Sequence, residues 1–108
     1  MHHGSDAMML VRGELCERLD ALQRTGARLS PNAFAVQVEG IRSLAAAYGL
    51  TPVVRVAEAL ERAVGESGRD LRRCATALYL TRLHDAIGCE RLDEAAGQAL
   101  VASVTVRL

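Results

Sequence analysis

Aromatic side chains are nearly missing: Phe34, Tyr48 and Tyr79 are the only ones in a chain of 108 residues. A core with so few broad, rigid groups must be filled by aliphatic ones, and the abundance of Ala, Leu, Val, Arg and Glu favours helix over sheet. Net charge is missing too. Thirteen basic side chains cancel thirteen acidic ones, which excludes a long-range field that would gather nucleic acid or an anionic membrane. No apolar run approaches the roughly 18–20 residues of a membrane span, and the N-terminus carries no signal-peptide pattern, so a cytoplasmic location is expected. Histidine is scarce. The opening MHHGS, residues 1–5, reads as an expression-tag remnant, which sets His2 and His3 aside and leaves His84. Cys16, Cys74 and Cys89 are odd in number and lack paired spacing, which argues against a disulfide framework and against a zinc site; buried reduced thiols are expected, with no metal and no cofactor. A Gly-rich phosphate loop and a Ser or Cys nucleophile with a histidine base are also absent, so no enzyme activity is expected.

Helix punctuation is abundant. Residues 6–108 suit one domain, large enough to bury a single core. Met8, Val11, Leu15, Leu19 and Leu22 keep helical spacing, which predicts a first helix from about Asp6 to about Thr25, with Gly26 as terminator. Ser30 and Pro31 supply an N-cap and a first helical residue for a second helix, whose stripe of Phe34, Val38, Ile41, Ala45 and Tyr48 ends at Gly49, with Leu50 folding back. Thr51 and Pro52 repeat the start signal, and Val53, Val56, Ala57, Leu60 and Val64 mark the buried face of a third helix ending near GESG. A fourth helix is expected from about Arg69 to Ile87, carrying Leu71, Cys74, Ala75 and Leu78 on one side with Leu80, Leu83 and Ile87 nearby, before Gly88. Asp93 can cap a fifth, with Ala96, Ala99, Leu100 and Val104 inward. Short connections make sequential helices neighbours. The expected fold is all-α: an antiparallel up-down four-helix bundle with an additional C-terminal helix.

The stretch VEGIRSLAAAYGL, Val38 to Leu50, has an unusual outer face. At 100° per residue, Glu39 lies about 100° from Val38, among Asn32, Ala35, Val36, Arg42, Ser43 and Ala46. Apart from Glu39 and Arg42 these side chains are short, so another protein could approach the helix backbone closely around one charged pair. The plain alternative is a solvated flank bearing an i, i+3 ion pair worth a few tenths of a kcal/mol.

The run EGIRSLAAAYGLTPVVRVAEALERA resembles the core motif of histidine-containing phosphotransfer (HPt) domains: His, two residues, Lys, Gly, small residues and Gly-Leu, then a helix ending in Leu-Glu, here Leu60-Glu61. The likeness covers about 25 residues. It implies a four-helix bundle with the motif on the second bundle helix, and a role in two-component phosphorelays, where an exposed imidazole passes phosphate between receiver aspartates. Three departures matter: Glu39 stands at the phosphoacceptor position, Arg42 at the usual lysine and Ser43 at the usual glycine. A carboxylate facing an aspartyl phosphate repels it, and Arg42 is expected to neutralise Glu39 in place.

The resemblance thus implies a degenerate HPt module that docks a response-regulator receiver domain or a histidine kinase through Ala35, Val36, Glu39, Arg42, Ser43 and Ala46 without carrying phosphate. It is expected to be a monomer or weak homodimer, with Val36 and Tyr79, if exposed, marking the dimer surface. One alternative is a working phosphotransfer protein whose acceptor is misplaced or replaced. His84, in HDAIG, is the substitute, but Ile87 occupies the position of its basic partner. Another is a helix-turn-helix DNA-binding protein, suggested by LAAAYGLTPVVRVAEALERA; Arg55 stands where that motif needs an apolar residue, and no basic patch accompanies it.

Overall fold

The computed structural model of the chain describes residues 3–66 and 75–105, with side chains at 6–66 and 75–104. Among the described residues there are five α-helices: α1 (His3–Thr25), α2 (Pro31–Ala47), α3 (Thr51–Glu66), α4 (Thr76–Ile87) and α5 (Glu94–Thr105). No strand occurs among the described residues. None of these helices is long and apolar enough to cross a membrane.

The first helix begins at His3, three residues ahead of its expected start, and buries Val11, Leu15, Leu19 and Leu22. Its end differs from expectation. Gly26 does not stop the chain in a left-handed cap; it opens a 3-10 turn, Gly26–Arg28, and is itself buried. A Cβ at Gly26 would lie 3.2 Å from the Phe34 ring, so this glycine makes room for the largest core side chain.

Both ends of α2 follow their local chemistry. Ser30 Oγ accepts a hydrogen bond from the Ala33 N–H at 3.1 Å, and Pro31 occupies the first turn, where its missing N–H leaves no bond unmade. At the far end Gly49 adopts φ +70°, the Gly49 N–H donates to Ala46 O at 3.3 Å and the Leu50 N–H donates to Ala45 O at 2.9 Å. This paired arrangement closes the helix and drives Leu50 into the core. Tyr48, expected on the core stripe with Phe34, Val38, Ile41 and Ala45, is instead 47% exposed. The helix has already ended at Ala47, so a wheel position no longer directs its side chain; Leu50 fills the space.

The third helix buries Val53, Val56, Ala57, Leu60 and Val64 as expected, together with Pro52 and Ala59. That wide sector matches its neighbours, for α3 packs against α2, α4 and α5. Ahead of α4, Ala75 has φ −76° and ψ 57°, so no continuous helix passes through residue 75; the expected start at Arg69, and Leu71 and Cys74, lie outside the described residues. Within α4 the buried set is Tyr79, Leu80, Leu83, Ala86 and Ile87. Tyr79, a candidate for an exposed dimer surface, is thus buried, and Leu78, expected on the apolar side of the helix, is exposed.

Asp93 caps α5 through Oδ1, which accepts the Ala96 N–H at 2.8 Å. That bond, followed by the Arg91 guanidinium, holds the Asp93 carboxyl below its ordinary pKa. The inward side of α5 is Gly97 with half-buried Ala96, Leu100, Val101 and Val104, whereas Ala99, expected inward, is exposed. The reason is close approach: a Cβ at Gly97 would lie 3.1 Å from Arg55 Cγ and 3.5 Å from Pro52 Cα, so the helix is seated through the residue with no side chain. Arg55 spans the joint, donating from Nε and Nη2 to the two Glu94 oxygens at 2.7 and 3.0 Å and from Nη1 to Glu58 at 2.8 Å.

Packing closes on itself. The first helix contacts α2 and α4, α2 contacts α3, and α3 contacts α4, with α5 laid on α3 and α4. Arg12 of α1 donates from Nη2 to the Cys89 carbonyl, just past the end of α4, at 3.0 Å. No charged side chain is fully buried among the described residues. The interior is aliphatic apart from Phe34 and the edge-lying Tyr79, as the shortage of aromatics requires.

Candidate docking face on the second helix

Because Phe34, Val38, Ile41 and Ala45 turn inward, α2 presents its other side to solvent. Glu39 lies in the middle of that side, its side chain 58% exposed. Val36, Ser43 and Ala46 are exposed with it, and Ala35 is half-buried at the edge. The six residues singled out from sequence therefore share one stretch of α2, five on or beside the open face and Arg42 turned from it.

Arg42 is shared between two carboxylates. Its Nη2 forms the expected i, i+3 ion pair with Glu39 at 4.0 Å, too long for a hydrogen bond, and its Nε donates to Glu61 Oε1 of α3 at 2.9 Å, the tighter of the two contacts. The Arg42 and Glu61 side chains are about equally half-buried, at 31% and 29% exposure, so the pair lies along the α2–α3 seam and the guanidinium is committed there. On the α1 side, Arg18 comes close to Gly40, where a Cβ would meet its Nη1 at 3.1 Å, and Arg18 is itself bonded to Glu14 at 2.9 Å. Arg18 is thus held by Glu14, and Arg42 bridges Glu39 and Glu61.

No protein-family model, curated protein or solved structure matches the chain. The geometry therefore carries the reading of the face.

Other candidate groups fare differently. His84 is exposed in the last turn of α4, with Ile87 buried and the Gly88 N–H donating to the His84 carbonyl at 3.3 Å; Gly88 ends the helix without entering the left-handed region. Cys16 and Cys89 are free thiols, half-buried rather than fully buried. Burial pushes the Cys16 thiol up, with Asp20 adding to the effect, which disfavours the reactive thiolate. No group of three metal-ligating side chains occurs among the described residues. Arg55, the residue that weakens the helix-turn-helix pattern, is held by Glu58 and Glu94.

Sequence reasoning missed two partners. Glu61 closes the Leu-Glu ending of the motif, and its pairing follows from Arg42 lying at the α3 edge of the wheel, about 40° from Val38, where a carboxylate on the next helix is within reach. Arg18 beside Gly40 had no comparable signal, since the side-by-side level of α1 and α2 depends on the buried turn at Gly26.

Proposed function

We propose that the chain is an HPt-like signalling module: an antiparallel up-down bundle of α1–α4 with α5 as an added C-terminal helix. In this reading it docks a receiver domain or a histidine kinase through the Glu39 face and acts by binding rather than by carrying phosphate. The observation that carries it is the placement of Glu39, exposed at mid-helix on α2 and rimmed by Val36, Ser43 and Ala46. A carboxylate has no imidazole nitrogen to form a phosphoramidate, so the position supports contact without transfer. Closed packing in the order α1, α2, α3, α4 and back to α1 agrees with a bundle.

The test is titration of purified receiver domains and kinases encoded by the source genome against the wild type and Ala46→Arg. A long side chain at an exposed small position obstructs the approach to α2 without disturbing the core. Wild-type binding that Ala46→Arg abolishes is the expected result; no binding by the wild type, or equal binding by both, means that the face is a solvated flank.

A further inference from the structure

We draw no further inference here: the strongest candidate, the apolar surface patch that Met9 and Leu10 form near the start of α1, 69% and 75% exposed, carries nothing because no feature of the structure shows what covers it.

Discussion

Gly49 turns the chain between α2 and α3 at φ +70° with no neighbour within 4 Å of where a Cβ would be. A methyl group there meets open space, so any cost is purely conformational: Gly49→Ala should destabilise the fold by about 1 kcal/mol in thermal or urea unfolding, with helix content unchanged. Ser30→Ala should cost a similar amount, about 1 kcal/mol, because the Ala33 N–H loses its acceptor. These residues were legible because each acts through backbone geometry that its own side chain dictates. Tyr48 was not. Its placement depended on whether the helix lasted one residue longer, and a boundary error of one position moves a side chain from the core to solvent. The candidate face was legible as a set of residues, since a helix wheel needs only the second helix, but its electrostatics only in part. The bond between Arg42 and Glu61 joins α2 to α3, and no spacing within α2 contains it.

Among the elements, α5 is held differently from the rest. It has one fully buried residue, Gly97, and four half-buried apolar ones, Ala96, Leu100, Val101 and Val104, and is tied down by Arg55 to Glu94 and by Arg82 Nε donating to Ser103 Oγ at 2.7 Å. Gly97→Leu should lift α5 from α3, since the added atoms would meet Arg55 and the Pro52 backbone; hydrogen exchange should rise at α5 amides before it rises in α2 or α3. Acid should act at the same joint. The side-chain bond from Arg55, then that from Gln98, holds the Glu94 carboxyl below its ordinary pKa, and Asp93 is depressed chiefly by the Ala96 N–H. Both groups are lowered in the folded state. Their contribution is therefore complete above the ordinary carboxylate range near about pH 4 and is lost as pH falls through the depressed folded values. Exchange at α5 measured down to about pH 2 should show faster opening on acidification, and Glu94→Gln should remove part of that dependence. Fold class and most helix boundaries were readable from caps and periodicity, and of the residues expected inward on α5, Ala96, Leu100 and Val104 are half-buried. Ala99 is exposed, because the closest approach is made by Gly97, whose absent side chain admits Arg55.

At the scale of the molecule, the proposed role makes a chemical prediction. Incubation with a radiolabelled, phosphorylated receiver should leave no phosphoryl group on the chain, because Glu39 offers no imidazole and His84 has buried Ile87, rather than a cation, three residues on. A label that survives alkali but not acid would contradict this, and its loss in His84→Ala would assign the acceptor. The balance of charges, visible in composition alone, agrees with a surface on which cations are largely held by neighbouring carboxylates, as at Arg18, Arg42, Arg55, Arg82 and Arg91.

The bond from Arg12 to the Cys89 carbonyl spans 77 positions of sequence. Synthesis proceeds from the N-terminus, so α1, α2 and α3 all emerge before the acceptor exists and before α4 can cover its side of α1. Until then Val11, Leu15 and Leu19 lack one wall of their eventual surroundings, a period in which a nascent chain is open to misassociation. Closing so long a loop adds little entropy per further residue, but it raises contact order and slows folding relative to a set of neighbouring helical hairpins. Of the five helices, α1 is thus made before the others yet among the last to be finished.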